Sequence, residues 1–381
     1  MYYSTGLFYI IFIMLSFIIV LIGKYKNEKR TNYLHENRDP DYSPLVSVII
    51  PTWNEENVIE NTIRTVENSS YKNIEVIVID DNSTDNTYKI AKNLEKEFQN
   101  LKVILKKGRR GKPQSINEAM EIANGDIILM IDADARVPVN YISSHIYCFS
   151  NKKVNMIFTN FEAYNFKLKP VFILQEIYFN FVKAIFYSNI FVKMIFMGNG
   201  IFFRRSLLEK LLPIDPETLV DDFSMATKLS KMGVKEFYST YPYIGIQYVS
   251  NFRDLWKQHK RWYIGGFREM FKRIKEGHYF YLLVYIIIGI IIFSPIYTLV
   301  FDFIFNTNTF VYLFGGLIIS VYILMAISSF DSKKMGFFSL LYAFAFTPLL
   351  MLFQLGVLIE SYILGPLNKV TEWYKVKREK L

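Results

Sequence analysis

The chain has 381 residues, of which 51% are hydrophobic and 21% charged, and it carries a net charge of +9. This balance excludes an intrinsically disordered protein and favours a membrane protein whose folded part binds anions such as nucleotides or lipid head groups. A single cysteine, Cys148, excludes an intramolecular disulfide framework and a cysteine-rich metal site, and no zinc-finger spacing or long basic tract supports nucleic acid as a partner.

The first apolar segment, residues 7–22, is followed by a cluster of lysines and an arginine. A secretory signal peptide carries its positive charge before the apolar stretch, so this order indicates a retained anchor. We predict a transmembrane anchor over residues 1–25 with its C-terminal end in the cytoplasm. The polar residues 26–43 are predicted to form a linker.

Residues 44–257 alternate between apolar strand patterns and amphipathic helix patterns. Asn54 is the expected cap of the first helix. The alternation predicts an α/β domain with a mainly parallel sheet that is covered on both faces, and ligands of such sheets bind beyond the carboxyl ends of the strands. The predicted strands are residues 45–50, 74–79, 103–105 and 127–131.

Two carboxylates, Asp132 and Asp134, follow the last of these strands directly. Residues i and i+2 of a strand point to the same side, so both carboxylates are expected to converge on one point. Their mutual repulsion requires compensation, and oxygen ligands of this kind suit Mg²⁺ or Mn²⁺. We therefore predict a divalent cation site, and the alternative is a strand end with two solvated carboxylates.

The C-terminal part of the chain is predicted to be membrane-associated. Residues 258–278 have apolar positions at helical spacing with basic residues between them, a pattern typical of an amphipathic helix on a membrane surface and also of an ordinary surface helix. Residues 279–365 are mostly apolar and are followed by a basic tail, residues 366–381. Transmembrane segments are predicted near residues 280–301, 309–329 and 337–363, and Pro348 leaves open whether the last of them is broken into two.

Six short motifs occur in order along the chain. Together they resemble the membrane-integrated family 2 glycosyltransferases, which include cellulose, chitin, hyaluronan and poly-N-acetylglucosamine synthases and to which ceramide glucosyltransferase is related. The resemblance covers roughly residues 44–275 and implies a GT-A-type nucleotide-sugar-binding domain. The motifs are "VSVIIPTWNEE" (46–56), "VIDDNSTD" (78–85), "RRGKPQSINEAM" (109–120), "DADA" (132–135), "VDDFSMATKL" (220–229) and "QHKRW" (258–262).

The resemblance implies a binding site for a UDP-sugar donor. Asp80 and Asp81 would contact the base and the ribose, and Thr52 and Glu55 would line the same pocket. The alternative is that the acidic pair only forms a turn and caps the next helix.

The diphosphate of the donor would meet Lys112 and Asp132, with Arg109 or Arg110 helping Lys112. Asp132 and Asp134 would hold the metal ion. The stretch "GRRGK" lacks the spacing of a P-loop, which excludes an ATPase of that kind.

Asp222 resembles the catalytic base of the family. Asp221 precedes it where the family usually has glutamate, a shorter side chain of the same charge. A helix N-terminus that attracts two carboxylates is the alternative for this pair.

The last motif resembles the QxxRW sequence of the family. On a helix Gln258, Arg261 and Trp262 share one face, so that Arg261 could hold diphosphate and Trp262 could stack on the acceptor sugar. Gly198 and Gly200 resemble a glycine-bearing acceptor segment.

These patterns predict an integral plasma-membrane hexosyltransferase with a cytoplasmic catalytic domain. The predicted reaction is inverting, metal-dependent transfer from a UDP-sugar to a growing polysaccharide. One alternative is a non-processive enzyme that glycosylates a membrane lipid, and the other is a transporter or scaffold with an inactive α/β domain. The apolar segments contain few ionisable residues, which disfavours an ion-coupled transporter.

Overall fold

The computed structural model describes most of the chain. These are residues 2–107, 111–188, 197–279, 281–286, 288, 289, 293, 300, 303, 304, 309–330, 332–365 and 378–380. The chain forms two compact units. One comprises residues 1–24, 167–191 and 249–374, and the other comprises residues 25–166, 192–248 and 375–381.

The second unit is built on a seven-stranded sheet whose strand order is β3-β2-β1-β4-β6-β5-β7. Strand β1 pairs in parallel with β2 and β4, β2 with β3, and β5 with β7, whereas β6 is antiparallel to both of its neighbours. The predicted α/β class with a mainly parallel sheet is confirmed. The strands are β1 (Val46–Thr52), β2 (Ile74–Asp80), β3 (Leu101–Leu105), β4 (Ile127–Met130), β5 (Met156–Ala163), β6 (Ile201–Arg204) and β7 (Phe237–Ile246).

Helices connect these strands and bury their apolar faces. In α2 the buried residues include Ile59, Ile63 and Val66, which recur at the three- and four-residue spacing of one helix face. Every residue of β2 is buried, as expected for a central parallel strand with both faces covered. The helices are α2 (Ile59–Glu67), α3 (Thr87–Leu94), α4 (Lys112–Ile122), α5 (Tyr141–Ile146), α7 (Arg205–Leu208) and α8 (Asp221–Lys231).

Two local predictions in this unit are wrong. Asn54 does not cap α2, because the residue before that helix is Val58 and Asn54 lies in the left-handed region with φ 53°. Its side-chain oxygen instead accepts a hydrogen bond from the Thr84 backbone N–H at 2.7 Å, so Asn54 joins the loops that follow β1 and β2. The second error concerns Asp132 and Asp134, which lie in a turn and not on a strand.

The other unit is mainly helical. Helix α1 (Tyr2–Glu36) begins in it, and α6 (Pro170–Phe181), α9 (Phe252–Lys275), α10 (Thr309–Ile327) and α11 (Ser339–Leu364) belong to it. Val20 of α1 packs in a buried cluster with Ala184, Ile185, Ile323 and Ile327. The segment predicted as a linker, residues 26–43, is helical as far as Glu36.

One helix within the described part of the chain, Gly336–Leu364, is long and apolar enough to cross a membrane. It is a single continuous helix, so a break at Pro348 into two segments is wrong. Proline lacks an N–H and frees the carbonyl four residues earlier, which is that of Phe344. The Tyr322 hydroxyl donates to this carbonyl at 3.0 Å, so the helix continues without an unsatisfied acceptor there. Most of the predicted segment 280–301 lies outside the described residues.

Candidate active site

The candidate site begins where strands β1 and β2 end side by side. Thr52 and Asp80 are register partners, and the Asp81 N–H donates to the Thr52 carbonyl at 2.8 Å. The motif residues that follow the two strands therefore meet at one edge of the sheet, as the parallel arrangement predicts.

Asp80 is fully buried and is bonded twice by Ser83. The backbone N–H of Ser83 donates to one carboxylate oxygen at 2.8 Å, and its hydroxyl donates to the other at 2.6 Å. Burial raises the pKa of Asp80 above its ordinary value, and the two hydrogen bonds from Ser83 only partly oppose this. Asp80 thus stabilises the turn that follows β2, and its predicted contact with the donor stays a prediction.

Asp81 is engaged through both of its oxygens. One forms an ion pair with Lys106, and the other accepts the Gly111 N–H at 2.7 Å. Each carboxylate oxygen has two lone pairs, so these contacts leave acceptor capacity for a ligand.

Thr52 is the register partner of Asp80 on the neighbouring strand, and Thr52 and Glu55 are both buried. Within the described part of the chain the Thr52 hydroxyl has no hydrogen-bond partner. A buried hydroxyl without a partner is costly, and a ligand with a polar edge would remove that cost.

Lys112 opens helix α4 and reaches three groups of the site. Its ammonium donates to Asp132 Oδ1 at 2.7 Å and to the Gly198 carbonyl at 3.3 Å, and it lies 3.6 Å from Asp221 Oδ2. Burial alone would lower the pKa of Lys112, but the nearby carboxylates outweigh this effect and raise it. Lys112 is therefore a largely buried cation among carboxylates.

The Gly198–Gly200 segment connects the two acidic motifs. Its first N–H donates to Asp222 Oδ2 at 3.1 Å, and Asn199 Oδ1 accepts the Asp132 N–H at 3.1 Å. Gly200 has φ 75°, and a Cβ there would lie 2.6 Å from the hydroxyl oxygens of both Thr159 and Tyr141, so only glycine fits.

Asp132 and Asp134 lie in a turn, which corrects the prediction that they continue a strand. The last ladder bond runs from the Ile131 N–H to the Ile49 carbonyl. The Asp132 N–H is then taken by Asn199 and its carbonyl by the Ala135 N–H, so the chain leaves the sheet. Strand geometry therefore does not set the directions of the two carboxylates.

Asp134 is 4% exposed and holds a residue of the C-terminal tail. Arg378 Nη2 lies 2.9 Å from Asp134 Oδ2, and Arg378 Nη1 donates to the Gln247 carbonyl at 3.0 Å. Asn57 donates to the Arg378 carbonyl at 3.1 Å, and Gln247 bonds the backbone N–H and carbonyl of Glu379 at 2.9 Å each. The tail is thus fixed at the acidic turn by side-chain and backbone contacts.

The donor set of this turn suits a divalent cation. Asp132 and Asp134 each already bind a protein cation, Lys112 and Arg378 respectively. No third histidine, cysteine or carboxylate completes a metal-binding group among the described residues. Mg²⁺ and related ions are commonly bound through one or two carboxylates plus substrate phosphates, so two carboxylates are sufficient.

The QxxRW residues belong to the helical unit. Gln258, Arg261 and Trp262 all lie on α9, and the Trp262 ring contacts those of Tyr178 and His259 at 6.4 and 4.8 Å between centroids. Their predicted roles toward the acceptor and the diphosphate stay predictions. Arg109 and Arg110 lie outside the described residues.

Sequence reasoning missed Lys106, Asn199 and Arg378. Lys106 is buried beside an exposed Lys107, and nothing local to the two lysines distinguishes them. Arg378 is one of several basic residues in the C-terminal tail, and the local sequence does not distinguish it from the others. Only Asn199, between two glycines of a motif we had singled out, carried a signal that could have found it.

A sequence model of glycosyl transferase family 2 matches residues 47–212, which contain β1 to β6 and most of these site residues. The chain contains a family 2 glycosyltransferase domain. The predicted family is confirmed at this level. The matched range ends before Asp221 and Asp222, and it includes Thr52, Glu55, the acidic pairs Asp80–Asp81 and Asp132/Asp134, Lys112 and the Gly198–Gly200 segment.

Relatives of this family 2 domain include enzymes whose names state different products. The chain is 29% identical over 237 residues to a beta-monoglucosyldiacylglycerol synthase of Nostoc, an alignment that covers 59% of this chain and 49% of the relative. It is 25% identical over 292 residues to a poly-beta-1,6-N-acetyl-D-glucosamine synthase of Staphylococcus aureus, covering 73% and 69%. The chain spans about half the length of the first of these relatives.

The fold is shared with a solved mannosyltransferase structure. The mannosyltransferase PcManGT from Pyrobaculum calidifontis, in complex with GDP-Man and Mn²⁺, superposes with a TM-score of 0.56 at 18% identity. The match covers 96% of this chain and 99% of that one. The likeness supports a GT-A-like α/β fold.

Proposed function

We propose that this chain is a membrane-bound inverting glycosyltransferase that moves a hexosyl group from a UDP-sugar to a growing polysaccharide. The observation that carries the proposal is the cluster of Lys112, Asp132, Asp221 and Asp222 around Gly198, at the strand ends of a family 2 domain. A largely buried cation at this position suits a diphosphate leaving group. A carboxylate beside it suits the activation of an acceptor hydroxyl.

In this proposal Asp222 is the general base. A carboxylate within reach of a hydroxyl can take its proton as the hydroxyl attacks the anomeric carbon, while the nucleoside diphosphate leaves on the opposite side. The N–H groups of Phe223 and Gly198 donate to its two oxygens at 2.8 and 3.1 Å and hold the carboxylate in place. Asp221, beside it, stabilises the charge of Lys112.

Lys112 is the proposed contact for the diphosphate, because it is a largely buried cation that already binds two acidic side chains. The nucleoside would be held at the ends of β1 and β2 by Thr52, Glu55, Asp80 and Asp81. Asp134 and Asp132 would hold Mg²⁺ or Mn²⁺, which neutralises charge that develops on the leaving group. Binding of that ion requires the Asp134–Arg378 ion pair to open.

Membrane attachment is supported by apolar side chains that the fold leaves exposed. On α1 these include Met14 at 59% and Leu15 at 48%, and on α11 they include Leu341 at 65% and Leu352 at 68%. Apolar surface of this extent on two long helices suits a lipid environment.

A second candidate is a single-transfer enzyme that glycosylates a membrane lipid. The specific observation for it is the 29% identity to the glucosyldiacylglycerol synthase, whose name states a lipid product. The QxxRW motif favours a polysaccharide product over a glycosylated lipid.

The proposed function predicts donor turnover that depends on a divalent cation. We expect the purified full-length chain in detergent or nanodiscs to release UDP from at least one member of a UDP-sugar panel when Mn²⁺ is present. EDTA is expected to abolish this release. Release from GDP-mannose alone would contradict the uridine donor, and no release from any nucleotide sugar would contradict the activity.

A further inference from the structure

Lys106 is a buried cation that the proposed chemistry does not use. It follows strand β3 and is 1% exposed, whereas the next residue, Lys107, is exposed. Lysine is almost never fully buried unless it is paired, because removing an ammonium from water is costly. The contacts of Lys106 must therefore compensate this cost.

The Lys106 ammonium contacts three protein groups. It forms an ion pair with Asp81 and donates to the Gly111 carbonyl at 3.2 Å and to the Ser115 hydroxyl at 3.1 Å. Because an ammonium has three donors and no acceptor, nothing remains for a substrate. Any effect of Lys106 on the reaction has to pass through these neighbours.

The neighbours are arranged around one residue, Gly111. Asp81 accepts its N–H at 2.7 Å, and Lys106 and Ser115 donate to its carbonyl at 3.2 and 3.3 Å. Gly111 has φ 130°, a conformation that residues with a Cβ rarely adopt. The N–H and the carbonyl of Gly111 are thus both bonded by members of a buried ion pair.

Gly111 directly precedes Lys112, the first residue of α4. The direction in which α4 leaves Gly111 determines where the Lys112 side chain starts. From there its ammonium reaches Asp132 at 2.7 Å and the Gly198 carbonyl at 3.3 Å.

We propose that Lys106 and Asp81 are positioning residues: their ion pair holds Gly111 so that Lys112 is presented to the diphosphate of the donor. The inference rests on the proposed function, because it assigns Lys112 to that ligand. It gives Asp81 a second role besides contact with the nucleoside.

A double-mutant cycle tests this inference with UDP as the probe. Binding of UDP to the full chain in the presence of Mn²⁺ is measured by calorimetry for Lys106→Met, Lys112→Gln and the double variant. We expect Lys106→Met to weaken UDP binding about tenfold, since a charge-assisted hydrogen bond to the phosphate is misplaced. In the Lys112→Gln background, Lys106→Met is expected to weaken UDP binding less than about twofold, because the effects of substitutions at residues that act as a unit are not additive.

Lys107→Met is the matched control, since it removes an adjacent exposed lysine, and it is expected to leave UDP binding unchanged. The inference would be overturned if Lys106→Met lowered UDP affinity equally in the unsubstituted and Lys112→Gln chains, or if it did not lower UDP affinity at all. If Lys106→Met shows no cooperative thermal unfolding, Ser115→Ala takes its place in the cycle with the same expected non-additivity. Failure of the unsubstituted chain to bind UDP or GDP would instead refute the proposed function and this inference with it.

Discussion

Replacement of Asp222 by asparagine is expected to lower the rate of sugar transfer by about 10²- to 10⁴-fold, the usual contribution of a general base. An amide cannot accept the proton of the acceptor hydroxyl. Donor binding is expected to persist, because Lys112 keeps its contacts with Asp132 and the Gly198 carbonyl. The measurement is the single-turnover transfer rate, together with UDP affinity for each variant.

The control for Asp222→Asn is Glu217→Gln, which removes an exposed carboxylate from the loop before α8. It is expected to leave the transfer rate unchanged. One of the two N–H groups that Asp222 accepts will face the amide nitrogen of the new side chain, so thermal unfolding is followed in parallel. A folded Asp222→Asn variant that retains transfer would show that another residue is the base.

The second large effect concerns the cation at Asp134, where two substitutions are expected to act in opposite directions. Asp134→Asn removes a proposed ligand and should abolish the Mn²⁺ dependence of UDP binding. Arg378→Gln removes the guanidinium that lies 2.9 Å from Asp134 Oδ2. Because Mn²⁺ then has no guanidinium to displace from Asp134, its affinity is expected to rise about tenfold, equivalent to ~1.4 kcal/mol.

Mn²⁺ binding can be measured independently of turnover, from the electron paramagnetic resonance signal of the free ion in the presence of UDP. Lys380→Gln is the matched control, since Lys380 is an exposed basic residue of the same tail. Weaker Mn²⁺ binding by Arg378→Gln would contradict competition at Asp134. Unchanged Mn²⁺ binding by Asp134→Asn would remove Asp134 from the metal site.

The strands and helices could be predicted because the apolar patterns that indicate them lie within short stretches of sequence. The apolar runs of β1, β2 and β4 are buried strands, and the carboxyl ends of β1 and β2 bring Thr52 and Asp80 together. The errors occur where a contact between residues distant in sequence determines the local structure. Asn54 bonds Thr84 rather than capping α2, and Asn199 takes the N–H of Asp132 and ends the strand.

The same reasoning explains which residues of the candidate site were missed. Lys106 and Lys107 are identical in type and adjacent, and only the approach of Asp81 and Gly111 makes one of them buried. Arg378 meets Asp134 through tertiary contacts with Asn57 and Gln247, none of which is visible in the local sequence. Motif spacing identified the carboxylates and Lys112, but not Lys106 and Arg378, the cations that pair with Asp81 and Asp134.

The central claim, sugar transfer by this site, is tested most directly by following a radiolabelled sugar from the donor into product. The unsubstituted chain, supplied with membrane lipids, Mn²⁺ and the labelled UDP-sugar that it turns over, is predicted to place label in a high-mass saccharide. The Asp222→Asn variant is predicted to place label in no product. Label confined to single-sugar lipids would contradict the polysaccharide product, and label found only as donor or free sugar would contradict glycosyl transfer itself.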